Sequence, residues 1–163
     1  EINGFVYDPT TGGFTSSNIQ GSSERSGVEI EASYKFTEAW NLKGSYTYLD
    51  ASQGASNAKV REVRRPMHSG AMALTRKFRN SGASLVITYT GKQTDDFFPP
   101  YPPYQERVDL KPFTIIDLSG YISLSEKLSV TGRLGNILDK RFEQVYGYVS
   151  PGIECHIGLR LSW

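Results

Sequence analysis

From Ile153 onward the chain alternates without a break. Ile153, Cys155, Ile157, Leu159, Leu161 and Trp163 fall on one side, and Glu154, His156, Gly158, Arg160 and Ser162 on the other. Successive side chains of a strand point to opposite faces, so a period of two predicts a strand with one apolar and one polar face. A strand about 10 residues long with this pattern is long enough to cross an outer membrane as part of a barrel. The same alternation, bounded by turn residues, predicts eight strands near 1–8, 13–36, 41–50, 65–79, 82–92, 112–124, 127–138 and 152–163. One face collects Val28, Ile30, Ala32, Tyr34, Leu42, Gly44, Tyr46, Gly70, Met72, Leu74, Leu85, Ile87 and Tyr89. It continues through Ile116, Leu118, Gly120, Ile122, Leu124, Leu128, Val130, Gly132 and Leu134. The opposite face carries Glu29, Glu31, Lys43, Asp117, Arg133, Glu154 and Arg160, charges that suit a wet lumen or a polar plug and not a dry core.

The connections alternate in length. Residues 37–40, 79–82 and 125–127 are short, whereas 51–64, 93–111 and 139–151 are long, and a Pro/Gly turn spans 10–13. All eight prolines lie in or beside the long connections and the Pro/Gly turn, as expected of a residue that cannot donate to a sheet ladder. Such asymmetry predicts an antiparallel up-and-down barrel, with short periplasmic turns and long extracellular loops. Phe36, Trp40, Phe78 and Trp163 gather at the short-turn end, and Tyr46, Tyr48 and Tyr89 approach the other, as two interfacial girdles would. A soluble sandwich also alternates, but its strand ends need not sort aromatics into two belts.

Composition narrows the function. Hydrophobic residues make up 38% of the 163, and no stretch approaches the ~20 apolar residues of a membrane helix. A net charge of +1 argues against a nucleic-acid binder, and a single cysteine allows neither an internal disulfide nor a cysteine-based zinc site. His68 and His156 show no metal-ligand spacing and read as structural, so no metal and no cofactor are expected. Asp95-Asp96 reads as a solvated pair. No set of nucleophile, base and acid suggests an enzyme.

Two loop features attract attention. Lys59, Arg61, Arg64 and Arg65 form the densest basic cluster, which would either draw an anionic ligand or stand as a solvated loop base. Phe97-Phe98-Pro99-Pro100-Tyr101-Pro102-Pro103-Tyr104 presents aromatics on a proline-stiffened loop, for gripping a ligand or for stiffening alone.

Ordered motifs resemble the C-terminal barrel of the TonB-dependent outer-membrane receptors. They are Arg25-Ser26-Gly27-Val28-Glu29, Tyr46-Thr47-Tyr48-Leu49-Asp50-Ala51, Arg64-Arg65-Pro66, and Asn136-Ile137-Leu138-Asp139-Lys140 followed by Tyr146-Gly147-Tyr148 and Pro151-Gly152. The final aromatic is Trp163, where the family more often has Phe. The resemblance spans the whole chain, 1–163, and implies the C-terminal third of a barrel of about 22 strands, with the plug domain and earlier strands absent. It implies a Gram-negative outer-membrane receptor that imports a scarce nutrient, such as an iron–siderophore or cobalamin. Its partners would be outer-membrane lipid, its own plug, the TonB complex and the barrel-assembly machinery. Ligand contacts are expected from Phe97, Phe98, Tyr101, Tyr104, Tyr146, Tyr148, Arg61 and Arg64. Leu159, Leu161 and Trp163 would form the assembly signal. The alternative is a complete eight-stranded barrel with a structural or adhesive role.

Overall fold

The computed structural model describes residues 4–17, 21–54 and 59–162; Trp163, expected in the assembly signal and the girdle, lies outside the described residues. Every regular element is a strand. In chain order they are Gly4–Asp8 (β1), Gly13–Ser17 (β2), Ser22–Lys35 (β3), Trp40–Gly54 (β4), Val60–Arg61 (β5), His68–Lys77 (β6) and Ser81–Thr90 (β7). There follow Gln93–Phe97 (β8), Glu106–Leu110 (β9), Phe113–Ser123 (β10), Leu128–Gly135 (β11), Glu143–Val145 (β12), Tyr148–Val149 (β13) and Glu154–Leu161 (β14).

Seven long strands form one antiparallel meander in the order β3-β4-β6-β7-β10-β11-β14, with the two-residue β5 added to β4. The sheet is open, with β3 and β14 at its edges. The expected strands over 1–8 and 13–36 are corrected here. Gly4–Asp8 pairs with Gly13–Ser17 in a separate hairpin, and only Ser22–Lys35 enters the wall. The hairpin closes locally because the Asp8 carboxylate accepts from the Thr10 amide (2.9 Å) and from the Thr11 hydroxyl (3.0 Å).

Register carries the two-face pattern across the whole wall. Tyr34 pairs with Leu42, Leu42 with Leu74, Leu74 with Leu85, Leu85 with Leu118, Leu118 with Leu134, and Leu134 with Cys155. Directly opposed residues share a face, so the apolar series is continuous from edge to edge. Its members stand open: Val28 is 57% exposed, Ile157 80% and Leu159 76%. An apolar face this large is stable only against lipid.

The short turns at one end carry Tyr34 and Phe36 edge to face (4.8 Å), with Trp40 and Phe78 beside them. Arg76 also lies on this face, over the Trp40 ring at 4.8 Å and the Phe78 ring at 4.4 Å. At the other end the Tyr46 hydroxyl and His68 Nδ1 are 2.7 Å apart. Trp40 to Tyr46 and Tyr48 spans six to eight residues of β4, about 20–26 Å, which matches an apolar band between two girdles.

Candidate functional site

The long connections are not bare loops. The one after β4 holds β5, that after β7 holds the β8–β9 hairpin, and that after β11 holds β12–β13. Among the described residues the buried side chains lie in these connections, at Glu62, Gln93, Asp95, Leu110 and Asn136, or at the wall-strand ends that border them, at Ala51 of β4 and Phe113 of β10.

Asp95 is the centre of this cluster and is 1% exposed. One carboxylate oxygen accepts from Arg64 Nε (2.8 Å) and the Asp96 amide (2.9 Å), while the other accepts from the Tyr146 amide (2.8 Å). The Arg64 amide in turn donates to the Thr94 carbonyl (2.8 Å), from a left-handed backbone at φ 56. Three loops far apart in sequence therefore meet on one carboxylate. Burial pushes the Asp95 carboxyl up, but the Tyr146 amide and the Arg64 guanidinium outweigh it and hold the group below the usual carboxylate range. The expectation of a solvated Asp95-Asp96 pair is thus corrected: Asp95 is a clasp, and Asp96 pairs with Arg107 at 2.8 Å.

A second clasp joins the wall to the loop after β4. Glu62 accepts from the Ser23 hydroxyl (2.6 Å) and from Arg25 Nε (2.9 Å), with Arg65 Nε at 3.8 Å. Burial again raises its carboxyl, and Ser23, Arg25 and Arg65 together bring it below the usual range. A third knot is built on Asn136, in left-handed backbone at φ 50. Its amide group donates to the Lys140 and Pro151 carbonyls and accepts from the Lys140 amide, while its backbone N–H donates to Asp117. Asp139, also left-handed, receives the Ile153 amide at 3.1 Å. Asn and Asp tolerate this backbone region, which explains why they occupy these two positions of the Asn136–Lys140 motif.

The expected ligand-contact residues are only partly brought together. Phe97 and Tyr146 touch, with ring centroids 5.1 Å apart, and it is the Tyr146 amide that donates to Asp95 in the clasp. Tyr104 stacks on Tyr7 of the β1–β2 hairpin at 6.3 Å. Phe98, Tyr101 and Tyr148 are exposed, and the Pro102–Pro103 bond beside Tyr101 is cis. Arg61 reaches Asp50 and the Met67 sulfur, each at 3.7 Å, and its carbonyl accepts from Arg107 at 2.6 Å. Leu159 and Leu161 stand on the lipid face of β14, paired with Val130 and Leu128. Sequence reasoning missed the Phe113–Phe142 stack (4.1 Å) and the cavity of about 430 Å³ beside it, which Leu110, Tyr146, Lys111, Lys140 and Arg141 also line. Among the described residues no three His, Cys, Asp or Glu side chains gather in a metal-binding group.

Comparison with known proteins bears on this geometry. The family model described as TonB dependent receptor-like, beta-barrel, matches residues 2–137. The chain belongs to that family. Its relatives include the metal–pseudopaline receptor CntO of Pseudomonas aeruginosa, 25% identical over 171 residues, which cover 98% of this chain and 23% of that receptor. The chain thus spans about a quarter of the length of the curated relatives it matches. Among solved structures, the pyoverdine outer-membrane receptor FpvA of P. aeruginosa, bound to pyoverdine, aligns with a TM-score of 0.74. The identity is 17% over 96% of this chain and 23% of that one. The copper transporter OprC aligns with the same TM-score at 16% identity, over 98% of this chain and 26% of that one. At such identities these likenesses show the fold of a TonB-dependent receptor barrel, and they agree with an open seven-strand wall as part of a larger cylinder.

Proposed function

We propose that this chain is the C-terminal wall and extracellular loop set of an outer-membrane receptor that imports a scarce nutrient, a chelate of iron or of another transition metal. The observation that carries the reading is the meeting of three long connections on Asp95, which sets Phe97 and Tyr146 together and orders a surface from which Tyr101 and Tyr148 project. Rigid aromatics offer large contact area for few rotatable bonds, and loops ordered beforehand lose little entropy on binding. A metal chelate is favoured over cobalamin by the relatives, whose names state metal–pseudopaline, pyoverdine and copper as what they bind or carry. In the whole receptor a plug domain would fill the lumen beside Lys43, Asp117 and Arg133. The TonB complex would act on the plug, and the barrel-assembly machinery would read Leu159, Leu161 and Trp163. The role is transport and not catalysis.

A complete small barrel would need β3 and β14 to pair, and they stand at opposite edges. The decisive experiment is uptake and binding of the metal chelate by the full-length receptor carrying Tyr101→Ala or Tyr148→Ala, at matched surface abundance. A buried aromatic contact loses about 2 kcal/mol or more on truncation. Weakened binding in at least one variant is the expected result; unchanged affinity in both would move the ligand away from these loops.

A further inference from the structure

One row of the lipid face runs from Trp40 through Arg76, Ala83, Gly120 and Gly132 to Ile157, each directly opposed to the next. The row is sheared against the short turns. Counted from the turn end of its strand, Trp40 is the first residue, Arg76 the second, Ala83 the third, Gly120 the fourth and Gly132 the fifth. It therefore starts at the level of the aromatic girdle and climbs one residue per strand into the apolar band. From Arg76 to Gly132 the rise along the strand is about 10 Å, and from Arg76 to Ile157 the path across four strand spacings is about 19 Å.

The row has a charged foot and a hollow floor. Arg76 lies between the Trp40 and Phe78 rings, and the ion pairs of the described residues do not include it. A guanidinium on a lipid-facing strand is tolerated at the interface, where it reaches the headgroup level. Ala83, Gly120 and Gly132 form the floor of a groove of about 640 Å³, walled by Leu118 and Leu134 on one flank and by Ile122 and Val130 on the other. At Gly132 an added Cβ would meet nothing within 4 Å, and its φ is not in the left-handed region. Neither backbone strain nor close packing therefore explains the missing side chain at this position. The missing side chain leaves the groove open.

We infer that this row seats one glycerophospholipid of the inner leaflet of the outer membrane, with its phosphate on Arg76 and one acyl tail along Ala83, Gly120 and Gly132. The inference rests on the barrel reading of the chain. A fork of guanidinium N–H groups matches phosphate oxygens, and the flanking rings sit at the depth of the glycerol backbone. Charge complementarity selects a phosphate-bearing lipid, and the rising register carries the tail from headgroup level into hydrocarbon. Lipopolysaccharide is excluded as occupant, because the site lies at the short-turn end, away from the outer leaflet.

The test is native mass spectrometry of the full-length receptor, delipidated in detergent and titrated with dioleoylphosphatidylglycerol or with inorganic phosphate alone. Heat-modifiable migration establishes that each variant is a folded barrel. The native receptor should take up one phosphatidylglycerol, and Arg76→Lys, which keeps the charge without the fork, should bind it with intermediate affinity. Arg76→Gln and Gly132→Leu should each bind it about tenfold more weakly than the native receptor. Gly132→Leu removes no charge, so its loss would assign the groove to the tail and not to a bare anion site. Lipid uptake by folded Arg76→Gln or Gly132→Leu equal to that of the native receptor would overturn the inference. So would inorganic phosphate displacing the lipid. Absence of a heat-modifiable band in the native receptor would instead contradict the barrel reading itself.

Discussion

Along the wall, Ile157 and Leu159 are 80% and 76% exposed, while at the long-loop end the carboxylate of Asp95 is 1% exposed. A water-soluble domain has the opposite arrangement, with apolar groups inside and carboxylates outside. The wall is held by backbone ladders between seven neighbouring strands and takes its apolar burial from the bilayer. The loop cluster lies outside the membrane, has no lipid to bury it, and is held by a few buried carboxylates that collect donors from distant segments. Stability in the first region is spread over many equivalent positions, and in the second it is concentrated in Asp95, Glu62 and Asn136. A substitution should therefore act in the wall according to its depth and face, and in the loops according to which knot it unties.

The largest effect should come from a charge placed mid-wall on the lipid side. Leu85→Arg in the full-length receptor should cost about 2–4 kcal/mol in refolding titrations. Val86→Arg, one residue on, faces the lumen opposite Asp117 and should cost much less. Equal penalties would contradict the assignment of faces. Next comes Asp95→Asn, which removes the anion beneath Arg64 and the Tyr146 amide. Leaving such donors unmatched costs about 1–3 kcal/mol. Hydrogen exchange at the amides of Arg64 and Tyr146 should rise, while exchange in β7 and β10 stays unchanged.

Acid should act on the same knots. The carboxyls of Asp95 and Glu62 are held below their usual range in the folded protein, so their contribution is full at neutral pH. It is lost as pH falls below about 4 and through their depressed folded values. Loop protection, exchange corrected for its slower intrinsic rate in acid, should therefore fall before wall protection does, and Asp95→Asn should flatten that dependence. A smaller effect is expected for Val130→Arg, which lies near the short turn, where such a penalty falls to about 0–1 kcal/mol. The smallest belongs to Glu38→Gln. It removes the exposed Lys35–Glu38 pair at the β3–β4 turn and should leave the refolding titration unchanged.

The two regions also differed in how far the sequence disclosed them. The wall was legible because a strand buried on one side must alternate, and the apolar series from Val28 to Leu161 keeps its phase through every register. The strand expected over 13–36 was too long because Gly13–Ser17 and Ser22–Lys35 read as one polar run that passes over the local break. That break is Gly21, in left-handed backbone at φ 113 just before β3. In the loops, the Asn136–Lys140 motif was visible by resemblance, yet its reason, an amide fastening Lys140 and Pro151 from left-handed backbone, is a property of the folded turn. The Asp95 clasp could not be read at all. Its partners Arg64 and Tyr146 lie 31 and 51 residues away, and two adjacent aspartates in a polar loop look the same whether solvated or buried. Arg76 follows Gly70, Met72 and Leu74 in the same alternation and so was legible on the lipid face. Its seat over the Trp40 ring depends on the register between β4 and β6, which no window of sequence contains.

The most direct test of a two-faced wall is a spin-label scan of consecutive positions 83 to 89 in the full-length receptor, reconstituted in lipid. Collision with dissolved oxygen reports hydrocarbon, and collision with a water-soluble nickel chelate reports aqueous surroundings. Oxygen accessibility should peak at 83, 85, 87 and 89 and fall at 84, 86 and 88, with nickel accessibility never higher at the odd positions. Loss of the two-residue period, or the same period in opposite phase, would contradict the membrane wall.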